Sequence, residues 1–167
     1  MPKSLMALTV AGCCGIVVGV SKMFSVSLPE ELQPERYPLM AKEAIVKCLL
    51  VDDLHYKLEH LQRAKQICAS RYGHISPQHN RLLCWQARLV AESGDCGLMV
   101  ELIKEMVKKP HVGEAVEDEV RRWTYACRLL QSIQNSCSDS IFEMTVNEFM
   151  TAKSRLPVFI TERIKPF

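Results

Sequence analysis

Six cysteines are spread through the body of this chain: Cys48, Cys68, Cys84, Cys96, Cys127 and Cys137. Cysteine thiolates bind metals, attack electrophiles or pair as disulfides, and spacing helps to separate these uses. A four-ligand zinc site draws on close cysteine pairs, and no C-x-x-C occurs here. Cys48, Cys68, Cys84 and Cys127 each fall among apolar neighbours at helical spacing, where a thiol behaves as a small buried hydrophobe. Cys84 beside Trp85 suggests a nucleophile, but on an apolar helix face it reads as inert core. The wide spacing, with no Asn-x-Ser/Thr sequon, leans towards a reducing compartment. The alternative is a secreted or lumenal domain whose cysteines between Cys48 and Cys137 are partly disulfide-bonded. Six free thiols in the body would mark the first case, and none the second.

Other reactive residue types are no better arranged. His55 and His60 are five apart, so they do not share a helical face as ligands one turn apart would. His74 and His79 flank a turn, and His111 follows Pro110; each reads as a surface or capping histidine. Glu117, Asp118 and Glu119 diverge around one helical turn and read as a solvated helix start. No Gly-rich phosphate loop, G-x-S-x-G elbow or H-E-x-x-H appears. The expectation is a chain with no catalytic residue, no cofactor and no metal site.

Charge narrows the partners. The chain carries 21 basic and 19 acidic residues. Lys3 and Lys22 flank an apolar N-terminal stretch, so the remainder is net neutral. Phosphate-backbone binding needs clustered cations, which disfavours nucleic acid. Arg121, Arg122, Arg128, Lys153, Arg155, Arg163 and Lys165 make the last part locally basic, but they are spread out and read as a solvated face. At 48% hydrophobic residues the chain can bury a core and is not a disordered one.

The elements that would position any site are helical. Pro38 opens a first helix with Ala41, Ala44, Ile45, Cys48 and Leu49 at helical spacing. Asp52 or Asp53 caps a second, with the stripe Leu54, Leu58, Leu61, Ala64, Cys68 and Tyr72, stopped by Gly73. Ser76-Pro77 restarts a third with Leu82, Leu83, Trp85, Leu89 and Val90. Gly94-Asp95 breaks that helix and caps the next at once. The fourth stripe is Leu98, Met99, Leu102, Ile103, Met106 and Val107, stopped by Pro110. The fifth helix begins near Gly113 and buries Val116, Val120, Trp123, Cys127 and Leu130. The sixth opens on a Ser140-x-x-Glu143 capping box and buries Phe142, Val146, Phe149 and Met150 before Pro157. The tail from residue 158 to 167 is ambiguous, with packing over the last helix as one reading. Six helices in three antiparallel pairs follow, and no pair buries its apolar face alone. The predicted fold is all-α: three stacked helix hairpins spanning residues 38–157.

Residues 1–24 read differently. Ser4 to Ser21 carries no charge over 18 residues, close to the ~20 that span a hydrocarbon core. A retained transmembrane signal anchor is the preferred reading; a cleaved secretory signal peptide and a buried soluble helix are the others. Gly15 and Gly19 form a G-x-x-x-G pair suited to close helix approach, and so to a homodimer through the membrane helix. Residues 25–37 hold three glutamates and two of the chain's prolines and read as a proline-rich spacer. A short, moderately apolar anchor with lysine flanks is similar to the signal anchors of mitochondrial outer-membrane proteins. That resemblance makes a single-pass mitochondrial location the expectation, with the endoplasmic reticulum or secretion as alternatives.

The hairpin around Gly94-Asp95 resembles the tetratricopeptide repeat. Leu83, Ala87 and Val90 fall at first-helix positions, Met99, Ile103 and Met106 at second-helix ones, and Pro110 closes the unit. Residues 53–72 look like the second helix of a preceding unit. The resemblance implies an adaptor or assembly factor whose groove takes a helix or extended peptide of another protein. Candidate groove residues are Asn80, Gln86, Arg88, Arg122 and Tyr125. Gly94 followed by Met106 also resembles the pentatricopeptide hairpin, which would imply RNA binding.

Overall fold

The computed structural model describes residues 37–108 and 113–164. The expected anchor with Gly15 and Gly19 lies outside the described residues, as does the spacer apart from Tyr37. The described residues form seven helices and no strand: α1 Leu39–Leu50, α2 Leu54–Tyr72, α3 Pro77–Ser93, α4 Cys96–Lys108, α5 Val116–Ser136, α6 Asp139–Lys153 and α7 Val158–Thr161. None of them is long and apolar enough to cross a membrane.

Local chemistry sets most of the boundaries. Asp53, and not Asp52, caps α2 by accepting from the Tyr56 N–H at 3.2 Å. Ser76 accepts from the His79 N–H, with Pro77 in the first turn of α3. Gly94 adopts φ 69°, a left-handed corner that suits glycine. Asp95 then accepts from the Leu98 N–H at 3.0 Å and so satisfies one of the orphan donors of α4. A two-residue break between helices is therefore a tight corner. The Ser140–Glu143 capping box does not form: α6 starts at Asp139 and follows Ser138, whose side chain caps no backbone N–H.

Two apolar clusters share α3 as their common wall. One joins Tyr37 with Ala41, Ala44, Ile45 and Cys48 of α1, Leu61, Ala64 and Cys68 of α2, and Leu82 and Leu89 of α3. The other gathers Leu83, Ala87 and Val90 from a neighbouring face of α3 with the α4 stripe, Trp123 and Leu130 of α5, and Phe149 of α6. Leu82 and Leu89 are seven apart, as are Leu83 and Val90, so each pair runs along one helical stripe. One residue of offset turns the second stripe by roughly 100°, which lets a single helix serve two cores. Each helix from α1 to α5 packs on its successor, and α3 also packs on α5 and α4 on α6.

Several expected positions are corrected. Met150 is 52% exposed and Val116 is 38% exposed, so neither belongs to a buried stripe. The tail closes the second core: Ile160 of α7 and Ile164 are both buried in it, and α7 packs on α5. The acidic start of α5 is not a solvated end, because Asp118 and Glu119 are buried. His79 is buried as well, edge-on to His74.

Candidate functional site

A cleft of about 180 Å³ opens between α3 and α5. Ala87, Ala91 and Leu129 line it with apolar surface, and Arg88, Glu92, Tyr125, Arg128 and Ser132 add polar groups. Small residues on α3 leave the space, since alanine keeps the neighbouring helix face shallow. Two guanidinium groups are steered by aromatic rings. Arg88 lies 5.0 Å from the Trp85 ring centroid, and Arg128 lies 5.2 Å from that of Tyr125. A stacked arginine loses little further freedom when it meets an anion, so the charges are partly pre-organised.

Of the five groove residues expected from sequence, Arg88 and Tyr125 line this cleft. Gln86 lines a different groove, of about 400 Å³, with Leu58, Leu98, Leu102 and Glu105. Asn80 and Arg122 do not line either one. Asn80 is buried and donates to the Asp118 carbonyl at 2.8 Å, which ties α3 to the first turn of α5. Arg122 is fully buried. It donates to the Met106 carbonyl in the last turn of α4 and holds the Glu114 carboxylate through Nε at 3.3 Å and Nη2 at 2.8 Å. Glu119 approaches it at 3.9 Å. Its work is structural, because the end of α4 presents unsatisfied carbonyls that a cation can cap.

Lys65 was invisible as a polar core residue from sequence. It stands beside Ala64 on the buried stripe of α2 and donates to Gln86 at 2.7 Å and to Glu105 at 2.8 Å. Burial lowers its pKa, and Glu105 opposes that shift. This bridge joins α2, α3 and α4 beneath the larger groove. An apolar stripe interrupted by one lysine reads as a face edge, because a long stem normally carries its charge out to water.

The cysteines divide into two classes. Cys48, Cys68, Cys84 and Cys127 are buried and belong to no disulfide. Burial raises the pKa of Cys48, Cys68 and Cys127, that of Cys68 to about 11. Cys96 and Cys137 form a disulfide with Cα atoms 5.8 Å apart. Neither six free thiols nor complete pairing describes the body. A sequence separation of 41 between the two partners hides a pairing that only tertiary packing brings about. Among the described residues, no group of His, Cys, Asp or Glu is arranged to hold a metal ion.

Comparison with protein-family models, with curated proteins and with solved structures finds no match to the chain.

The buried thiols carry a pH prediction. In the unfolded chain they ionise near 9, whereas folding keeps them protonated to higher pH. Above pH 9 the unfolded state releases protons that the folded state keeps, so stability falls as pH climbs towards 11. Lys65 acts in the opposite sense, because its folded pKa lies below the ordinary 10.5 and its buried charge is relieved as it deprotonates. Three thiols outnumber one amine, and the urea midpoint is expected to drop between pH 8 and pH 10. Cys68→Ala should flatten part of that drop; an unchanged midpoint across the range would contradict it.

Proposed function

We propose that the chain is a membrane-tethered helical-repeat adaptor that binds another protein through the α3/α5 cleft. The observation that carries this reading is the pairing of an apolar floor with two ring-stacked arginines, Arg88 and Arg128. That combination suits an acidic segment with an apolar side chain at its centre, either a helix or an extended peptide.

Repetition in the packing supports a stacked-hairpin scaffold. The first helices of the three pairs begin at Leu39, Pro77 and Val116, and the second helices at Leu54, Cys96 and Asp139. Contacts follow the same stride: Asn80 meets Asp118 across 38 residues, and Lys65 meets Glu105 across 40. This stride is longer than the 34 residues of a tetratricopeptide unit, so the tetratricopeptide likeness rests on Leu83, Ala87, Val90, Met99, Ile103 and Met106 alone. The uncharged run from Ser4 to Ser21 would anchor the scaffold and raise its effective concentration near a membrane-bound partner. Mitochondrial placement rests on the anchor's resemblance. A lumenal or secreted domain, released by signal cleavage, gains support from the Cys96–Cys137 disulfide. The neutral body argues against the pentatricopeptide-like, RNA-binding reading.

Arg88 and Arg128 are both exposed, so exchanging them leaves the cores untouched. The double variant R88E/R128E is expected to keep its helical circular dichroism. On an array of acidic amphipathic peptides it should lose at least tenfold in affinity, and wild-type binding should weaken with salt. Binding that ignores both the exchange and the salt would reject the cleft as the site. N-terminal sequencing of the mature protein separates the anchored form from the cleaved one.

A further inference from the structure

We infer that Cys96 and Cys137 are an oxidative modification site, at which this chain is the substrate of a dithiol–disulfide oxidoreductase with Cys96 attacking first. Three observations carry this.

The first is segregation of the thiols. Four of the six body cysteines are buried, and Cys48, Cys68 and Cys127 lie in the two cores, where burial raises their pKa and keeps them as unreactive neutral thiols. The two that pair are both only half-buried. Oxidation can thus reach one pair without scrambling the others.

The second is access. Gly94, Asp95 and Gly97 flank Cys96, and Ser136 and Ser138 flank Cys137, and all five are exposed. No bulky side chain stands beside either sulfur in the sequence, so a second protein can approach along the disulfide.

The third is the opposite electrostatic setting of the two cysteines. Cys96 is the first residue of α4, after an Asp95 that already satisfies the Leu98 N–H. Cys137 is the C-cap of α5, and its N–H donates to the Ile133 carbonyl. A helix start favours a thiolate and a helix end opposes one. Cys96 is therefore the attacking sulfur.

The chemistry balances as two exchanges. The Cys96 thiolate attacks one sulfur of the oxidoreductase disulfide, forms a mixed disulfide and releases one enzyme thiolate. The Cys137 thiolate then attacks Cys96 Sγ, closes the Cys96–Cys137 bond and releases the second enzyme thiolate. Two electrons pass from the two cysteines to the enzyme disulfide, and its two thiolates take up the two protons given up by Cys96 and Cys137, so that the enzyme leaves as a dithiol. The product joins the corner after α3 to the end of α5, and so lies beyond the Glu92 and Ser132 end of the cleft. Such a pair persists in a compartment that oxidises thiols.

The test uses the full chain in cells quenched with acid, followed by alkylation under denaturing conditions and peptide mapping. Cys96 and Cys137 should resist alkylation until reduced, while Cys48, Cys68, Cys84 and Cys127 alkylate at once. Both members of the pair alkylating at steady state would overturn the inference. Cys137→Ala should then trap a mixed disulfide on Cys96, visible on a non-reducing gel as a reducible adduct. Cys96→Ala should trap at least tenfold less on Cys137. Equal trapping on both, or none on Cys96 while the wild-type pair is oxidised, would refute the assigned order.

Discussion

Replacing Arg122 with alanine is expected to cost about 3 to 5 kcal/mol of folding stability, the range for breaking a buried ion pair from one side. The guanidinium is fully buried, and the Glu114 and Glu119 side chains beside it are almost as sealed. Removing it leaves the Glu114 carboxylate without its two donors and the Met106 carbonyl without its cap. Water cannot readily replace them in a site closed by α4 and α5. Urea unfolding of R122A should show a sharply lower midpoint. R122K keeps the charge but not the two-pronged geometry, and should fall between. The double variant E114Q/R122M should recover part of the loss, because it deletes one of the stranded charges together with its partner. A midpoint for R122A within experimental error of wild type would show that the cluster contributes nothing. The same substitution should not be read as a binding defect, since Arg122 never reaches the cleft.

Trp123→Ala should cost a comparable amount, about 3 to 5 kcal/mol. Trp123 is fully buried and meets the Phe149 ring edge-on at 5.3 Å. It therefore fastens α6 onto α5 at the centre of the second core. Alanine would leave a void that the surrounding helices cannot close, because Met99, Ile103 and Met106 already fill the α4 side. On a chain of this size the melting temperature should fall by on the order of 15 °C. Trp123→Phe keeps an aromatic partner for Phe149 and should lose markedly less. It also leaves Trp85 as the sole tryptophan, so fluorescence then reports on the first core alone. If α6 and the tail were only loosely attached, Trp123→Ala would leave the midpoint of the α3–α5 region almost unchanged.

The helices were legible because their signals are local. Asp53, Ser76-Pro77 and Gly94-Asp95 act within a few residues of chain, through caps and a left-handed corner. The stripes of α2 and α4 were readable for a similar reason: their buried residues recur every three or four positions. The end of α6 was misread at Met150. Apolar type predicts burial only where a neighbour covers the face, and Met150 is left uncovered.

What the sequence alone determined is the all-α class, the number of long helices and the corners at Asp53, Ser76-Pro77 and Gly94-Asp95. Tertiary structure alone decided which polar residues went inside, which cysteines met and where a cleft opened. The burial of Asn80, Arg122 and Lys65 is not announced by the sequence, since their partners lie 38, 16 and 40 residues away. A buried charge is stable only once those partners have been folded against it, and nothing in its own turn of helix announces them. Cys96 and Cys137 follow the same logic, brought together by how α4 lies along α5. Periodicity is set by the backbone's own geometry; pairing is set by three-dimensional proximity, which the chain acquires only when the helices pack.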